Sequence, residues 1–299
     1  MSEFHSGFAA LVGRPNAGKS TLVNALIGAK VAITSNTPQT TRHRLRAIFN
    51  TADAQAIFVD TPGLHKPHDA LGEEVNRSTY KALEDVDVLA LLIDASQPVG
   101  KGDRWIFDFV THLPRAPKPL LVLSKVDLVD ADELRSQHER LETLGDFDEI
   151  CEISAITGQG VSTFANAVVA RLPAGPRWFP TDVQTDQPME VMIAEFIREK
   201  VLRSTFDEVP HATGVEVGEL DYDEKRDLTS IYATIYVERE SQKGIVVGKG
   251  GAGIKAIGTS ARADLEQLLG TRVYLDLRVK VKKNWRRDAA QIRRFGYGE

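Results

Sequence analysis

GRPNAGKST, residues 13 to 21, follows the apolar run FAALV and leads into an amphipathic stretch that begins near Lys19. The letters fit G-x-x-x-x-G-K-S at a strand-to-helix junction, where bare backbone NH groups and the positive end of a helix cradle a phosphate chain. On this reading Gly13, Arg14, Pro15, Asn16, Ala17, Gly18 and Thr21 shape the cradle. Lys19 reaches the β and γ oxygens of a nucleoside triphosphate, and Ser20 ligates magnesium. A Gly-rich turn without chemistry can carry the same letters, so the flanking chain has to discriminate.

Moving outward, apolar strand-like runs alternate with amphipathic segments as far as residue 172: FAALVG, AIFVDT, VDVLALLID, PLLVLSK and EICEIS, with helices near Lys19, near Trp105 and after EICEIS. This rhythm predicts an α/β domain with a mostly parallel, doubly wound sheet. FVDTPGL puts Asp60 at a strand end, 41 residues beyond Lys19, where a carboxylate can hold a magnesium ion through water. Thr61, Pro62 and Leu64 frame Gly63, whose NH can meet the γ-phosphate, although Asp-Thr-Pro-Gly is also an ordinary turn. NTPQTTRHR offers Thr40 and Thr41 in a polar stretch able to close over the nucleotide, with Thr41 completing the metal shell. VLSKVDLV displays Ser124, Lys125 and Asp127 after a buried strand, and EISAITG displays Ser154 and Ala155 after another. Loops at the carboxyl ends of successive strands would then converge on one crevice.

At 299 residues and 42% hydrophobic, the chain is long enough for about two domains with substantial cores. RLPAGPRWFPTDVQTDQP brings Pro173, Pro176, Pro180 and Pro188 close together and predicts a linker, so we expect domains at 1–178 and 179–299. Beyond it, Met189, Met192, Ile193, Phe196, Ile197 and Val201 recur at helical spacing, while IYATIYV and RVYLDLRVKV alternate like half-buried strands. The second domain therefore reads as α+β. Residues 241–299 hold 13 Lys or Arg against 5 Asp or Glu, a surplus of +8 in a chain whose total is −5, so residues 1–240 carry −13. A basic module after an acidic one points to a polyanion, with a merely solvated basic face as the alternative. One cysteine, Cys151, excludes an internal disulfide framework and a cysteine metal cluster; within EICEIS it reads as a buried strand thiol. Val88–Ile93, the longest apolar run near the middle, is too short for a membrane span, and no signal-peptide pattern opens the chain, so a cytoplasmic location is expected.

SQKGIVVGKGGAGIKAIG contains Gly248-Lys249-Gly250-Gly251-Ala252-Gly253, which satisfies the dinucleotide pattern G-x-G-x-x-G. Only 46 residues follow Gly253, too few for the βαβ units of that fold. The competing reading is a KH module, whose G-x-x-G loop joins two helices so that bare backbone clamps four single-stranded nucleotides. Gly248, Lys249, Gly250 and Gly251 fit that loop; a plain helix-breaking turn is the bland alternative. Lys243, Lys249, Lys255, Lys280, Lys282 and Lys283 offer phosphate contacts, with a merely solvated surface as the alternative for each, and Trp285 a stacking face.

The order GRPNAGKST, QTTR, DTPGLHKP, SKVD, SAITG resembles the translation-factor class of P-loop GTPases. The following domain, in α-β-β-α-α-β order like a type II KH domain, narrows the resemblance to the Era family of bacterial ribosome-assembly GTPases, over nearly the whole chain. The resemblance implies GTP or GDP with Mg2+ as cofactors. It implies that Asp127 accepts two hydrogen bonds from guanine, that the Lys125 alkyl chain covers the base, and that the Ala155 NH meets its carbonyl oxygen. Ser124 departs from the Asn usual there, which bonds the base and ties its loop to the phosphate loop. Leu64 occupies the position of the water-positioning glutamine of Ras-like switches. Relatives with Asn at the position of Asn16 use it to help hold K+ near the β and γ phosphates, where a fixed cation can stand in for an arginine finger; an Asn that merely stabilises the turn is the alternative. Asn16, Lys19, Thr41 and Gly63 are thus the catalytic set, and His65 and His68 read as exposed switch residues. The implied partners are 16S ribosomal RNA near its 3′ end and the 30S subunit; no DNA partner is expected. The protein is expected to be a monomer, with peripheral association at the inner face of the cell membrane. The competing function is a constitutive RNA-binding protein with a degenerate nucleotide domain.

Overall fold

The computed structural model describes the chain apart from residues 1, 2, 38, 39, 44, 65–69, 84, 85, 115, 116, 146, 296, 298 and 299. His65 and His68 lie outside the described residues. Two compact units result: residues 1–32, 41–67 and 74–186 make the first, and residues 33–40, 68–73 and 187–299 the second.

The first unit is built from β1 (His5–Gly13), α1 (Lys19–Ile27), β2 (Leu45–Asn50), β3 (Ala54–Asp60), α2 (Ala70–Leu83, its first residues counted with the second unit), β4 (Val88–Asp94), α3 (Lys101–Thr111), β5 (Leu120–Ser124), α4 (Ala131–Glu142), β6 (Ile150–Ile153) and α5 (Val161–Val169). The sheet order is β2-β3-β1-β4-β5-β6. Every pairing is parallel except β2 with β3. The central strands read as unbroken apolar runs because both faces are covered. Ala9, Leu11, Phe58 and Leu92 face Leu22, Val23 and Phe164 of α1 and α5. Ala10, Val12, Leu89, Leu91 and Leu123 face Ile106 and Leu141 of α3 and α4. The chain winds outward in both directions from β1, which lies between β3 and β4, so the loops leaving β1, β3, β4, β5 and β6 open on the same sheet edge.

The sequence rhythm passed over α2, α4 and β2; β2 is an antiparallel edge strand turned onto β3 through Thr51, whose hydroxyl accepts from the Ala54 NH at 2.9 Å. Its outer edge is partly covered, with the Ile48 NH donating to the Gln184 carbonyl at 2.9 Å and Ala47 bridging Thr185. Gln55, buried in β3, donates to the Phe179 carbonyl and accepts from the NH groups of Trp178 and Phe179. The first unit therefore runs through the proline-rich stretch to Asp186.

The second unit contains α6 (Met189–Ser204), α7 (Val209–Ala212), β7 (Gly214–Asp223), β8 (Leu228–Val237), α8 (Glu240–Val247), α9 (Ala252–Leu269), β9 (Arg272–Val281) and α10 (Ala289–Arg294). β8 pairs antiparallel with β7 and parallel with β9. Alternation along β8 buries Ile231, Ala233, Ile235 and Val237, which pack with Ile193, Ile197 and Val201 of α6 and Ile257, Ala261 and Leu265 of α9. Trp285 corrects one expectation. It is 0% exposed, donates its indole NH to the Ala212 carbonyl at 2.9 Å, and sits among Phe295 and Tyr297, so it offers no face to a nucleobase.

Candidate functional site

The phosphate loop is shaped by residues that accept unusual backbone. A Cβ on Gly13 would lie 2.6 Å from the Leu92 carbonyl oxygen, and Gly18, ahead of α1, has φ of 94°. Asn16 is left-handed at φ 65°, a conformation asparagine tolerates better than most residues. Lys19 opens α1 and folds back across the loop, donating to the Gly13 and Arg14 carbonyls at 3.1 and 3.0 Å. Burial pushes its ammonium down to about 8, and Asp60 offsets part of that fall.

Asp60 ends β3 with a carboxylate that is 0% exposed. Ser20 donates to one of its oxygens at 2.6 Å, and the Thr41 hydroxyl lies 2.9 Å from Ser20 Oγ. The other oxygen, Oδ1, is buried without a hydrogen-bond partner. Burial raises the Asp60 carboxyl, opposed by the Ser20 hydrogen bond, by Lys19 and by the Thr41 hydroxyl. A bare carboxylate oxygen beside two hydroxyls is costly by itself and suits a hard divalent cation, which seeks oxygen ligands and brings compensating charge. Ser20, Thr41 and Asp60 therefore fit magnesium. Among the described residues there is no cluster of three or more His, Cys, Asp or Glu that could hold a metal.

Gly63 is pressed against the phosphate loop: a Cβ there would come within 2.8 Å of Pro15 N and Cα. Thr61 is spent internally, donating to the Leu11 carbonyl at 2.7 Å. Leu64 is buried in the apolar core with Leu89 and Leu91, so it supplies backbone to the site and no polar group.

Ser124 resolves its own oddity. Its buried hydroxyl reaches the Ala17 carbonyl at 2.7 Å and the Ile93 carbonyl at 3.1 Å, tying the end of β5 to the phosphate loop. The neighbouring Lys125 is left-handed at φ 61° and is held by Asp94 at 2.6 Å. Asp94, at the end of β4, escaped the sequence reading; a carboxylate closing an apolar strand was its only signal. Asp127 is exposed. Ser154 is buried and accepts from the Thr157 NH at 3.1 Å, which shapes the turn carrying Ala155. A pocket of about 260 Å3 beside the phosphate loop is lined by Arg14, Pro15, Asn16, Ala17, Asp94, Gln97 and Asp103. Cys151 is a buried strand residue whose thiol is pushed up to about 11, chiefly by burial.

In the second unit, Gly248–Gly251 connects α8 to α9. A Cβ on Gly248 (φ 70°) would lie 2.7 Å from Gly253 N, so the turn demands glycine there. Gly250 and Gly251, at φ 60° and 83°, have no atom within 4 Å of a notional Cβ, which leaves their backbone open to a ligand. Lys249, Lys255, Lys280 and Lys283 are exposed, whereas Lys243 and Lys282 are half-buried. No helix among the described residues is long and apolar enough to cross a membrane.

A phosphate loop, a buried carboxylate at a strand end, a D-x-x-G turn and the loops after β5 and β6 on a doubly wound sheet define a P-loop GTPase, here followed by a type II KH domain. A family described as "50S ribosome-binding GTPase" matches residues 8–125, and one described as "KH domain" matches residues 208–286. The GTPase Era of Mycobacterium tuberculosis (strain ATCC 25618 / H37Rv) is 50% identical over 303 residues, covering 99% of this chain and all of that protein. The GTPase Era of Mycobacterium avium (strain 104) is 50% identical over 301 residues with the same coverage. Two solved structures superpose with a TM-score of 0.94 at 36% identity, covering 98% of this chain and 99% of theirs. One is a variant of Aquifex aeolicus Era bound to GDP.AlF4-, and the other is Era in complex with MgGDPNP and nucleotides 1506–1542 of 16S ribosomal RNA. The chain belongs to the Era family, and it is a GTPase.

Proposed function

We propose that this GTPase is a guanine-nucleotide switch that binds 16S ribosomal RNA near its 3′ end through Gly248–Gly251 and assists assembly of the small ribosomal subunit. The observation that carries the catalytic half is the buried, partnerless Asp60 oxygen beside Ser20 and Thr41, because a degenerate nucleotide domain has no reason to retain a costly bare carboxylate oxygen. The RNA half is supported by the open backbone at Gly250 and Gly251 and by the relative solved with nucleotides 1506–1542 of 16S ribosomal RNA.

In this reading Lys19 binds the β and γ oxygens, the Gly63 NH bonds the γ-phosphate, and Ser20, Thr41 and Asp60 hold magnesium. Bound magnesium would neutralise charge on the phosphates, and Asn16 would help hold a potassium ion, which would supply positive charge of the kind that Ras-like switches receive from an arginine. Leu64 has no polar group to orient the attacking water, so acceleration rests on charge and positioning. Lys125 and Asp127 read guanine, and Ser124 keeps their loop fixed to the phosphate loop. The protein works in the cytoplasm as a monomer. Peripheral membrane association rests on the family resemblance alone; cosedimentation with anionic vesicles reads it out.

GTP turnover in potassium and in sodium, each with and without RNA from the 16S 3′ end, tests the proposal. Faster hydrolysis in potassium, lost in Asn16→Ala, is expected. Equal rates in the two salts would assign the missing charge to RNA or ribosome in trans, and no turnover in any mixture would leave the constitutive RNA-binding reading in its place.

A further inference from the structure

Asp94 closes β4, and both of its carboxylate oxygens are committed. Oδ1 accepts from the Ser96 NH at 3.0 Å and from the Ser96 hydroxyl at 2.7 Å. Oδ2 accepts from the Lys125 ammonium at 2.6 Å. The strand ends that carry the pair are fixed to each other, since the Ala95 NH donates to the Ser124 carbonyl at 2.8 Å. From α4, the buried Gln137 amide donates to the Ala95 and Gln97 carbonyls, each at 2.8 Å, and so holds the turn that follows Asp94. All of these groups belong to the first unit.

That carboxylate stands in an awkward place for an anion site. With Gln97 and Asp103 it lines the cavity beside Asn16 and Ala17 of the phosphate loop. An uncompensated negative charge there would repel the phosphates that such a loop holds. Asp103 has a cation of its own, Arg14, at 3.3 Å, and Lys125 does the same for Asp94. The Lys125 and Asp94 side chains are 32% and 17% exposed, so solvent screens this pair less than one on the open surface. A lysine has a flexible four-carbon stem, and ordering such a stem when a ligand arrives weakens binding. Here the stem is held at both ends before any ligand arrives, by left-handed backbone at φ 61° and by Asp94 at the ammonium.

We infer that Asp94 is a positioning residue for guanine-nucleotide binding: it holds the Lys125 ammonium so that the alkyl chain lies ready to cover the base, and the pairing keeps its own charge from opposing the phosphates. The inference rests on the reading of Lys125 as the residue that covers guanine. Its consequence has a sign. Deleting a carboxylate near phosphates would by charge alone tighten nucleotide binding, whereas releasing Lys125 weakens it.

The test uses the full chain carrying Asp94→Asn, Asp94→Glu, Lys125→Ala, or Asp94→Asn together with Lys125→Ala. Equilibrium affinities for labelled GDP and for a non-hydrolysable GTP analogue are measured in excess magnesium, alongside kcat and KM for GTP. Thermal melting and RNA affinity report folding. Asp94→Asn is expected to weaken both nucleotides by about fivefold, part of the rotamer freedom of a lysine stem, with KM rising in step and kcat held within about twofold. The double variant, which removes both charges of the pair, is expected to bind more weakly than the parent yet no more weakly than Lys125→Ala, because Asp94 acts through Lys125. An Asp94→Asn protein that binds as tightly as the parent or tighter, while the double variant binds more weakly, overturns the inference alone. So does a double variant whose loss is the full product of the two single losses. If the double variant binds both nucleotides like the parent, the reading of Lys125 falls and the inference with it. Should Asp94→Asn fail to fold, Asp94→Glu carries the test: displacing the carboxylate by one methylene is expected to weaken both nucleotides about two- to threefold, and unchanged affinity there counts against the inference.

Discussion

Ser124 is a short side chain serving as the anchor between two loops. Its hydroxyl has one proton and two carbonyls in reach, of which Ala17 is the nearer at 2.7 Å. Ser124→Ala leaves that carbonyl without its hydroxyl partner, and we expect GDP and GTP affinities to fall together by about 1 kcal/mol, with adenine still excluded. Equilibrium binding of labelled GDP, GTP and ADP checks both parts. The duty proposed for Asp127 is a separate one, reading the base. Asp127→Asn replaces an acceptor with a group that can also donate, which shifts preference from guanine toward xanthine nucleotides; unchanged GDP preference over XDP in that variant would remove Asp127 from base recognition. Lys19 carries a pH dependence. Its folded value of about 8 lies below its ordinary 10.5, so between these limits the unfolded chain holds a proton that the folded one has released. For this group alone, stability therefore rises with pH across that window. A polyphosphate beside Lys19 favours the charged form, so nucleotide binding takes up a proton and affinity falls as pH rises through 8. Calorimetric titration in buffers of different ionisation enthalpy reads that proton directly; its absence above pH 8 would place the phosphates away from Lys19.

The loop between α8 and α9 separates two kinds of glycine. Gly248 is required by the fold, since a Cβ would meet Gly253 N at 2.7 Å, whereas Gly250 faces open space. Lys249→Asp with Gly250→Asp should still fold, at a cost of about 1 kcal/mol for a side chain on left-handed backbone that Asp tolerates better than most residues, yet lose RNA binding to repulsion and a blocked backbone. Gly248→Ala should destabilise the unit itself by about 1–3 kcal/mol. Thermal melts and RNA binding at one fixed salt concentration separate the two outcomes. The same division explains what the sequence displayed. Phosphate, base-side and G-x-x-G loops are local: each needs particular residues at fixed offsets, so Gly13–Thr21, Asp60–Leu64 and Gly248–Gly251 are legible in the letters alone. β2 is not, because LRAIFN is a short edge strand whose partner is fixed only by the turn at Thr51. Trp285 misleads because a basic flank signals exposure, whereas its indole NH finds a buried carbonyl. Residues 33–40 look like part of one polar loop, and nothing in their spacing assigns Ile33 to a core whose other members begin more than 150 residues later.

Across the whole molecule, the KH unit is discontinuous in sequence. Residues 187–299 expressed alone lack Ile33, whose burial is worth roughly 1.5–3 kcal/mol. They also lack the Thr34 NH and the Thr40 carbonyl that satisfy Glu199 and Arg198. That fragment is expected to be less stable than the same unit in the full chain by at least about 2 kcal/mol. Denaturant titration followed by Trp285 fluorescence, with a peptide of residues 30–42 added in trans, measures the deficit and its recovery. Equal midpoints for fragment and full chain would mean that the segment contributes nothing to the KH unit's fold. A gene exchange that splices this KH unit behind a foreign GTPase at the proline-rich stretch would carry over the helices and strands but leave behind Ile33, a member of their core. Such a chimaera is expected to begin life with a hole in the graft where that side chain belongs.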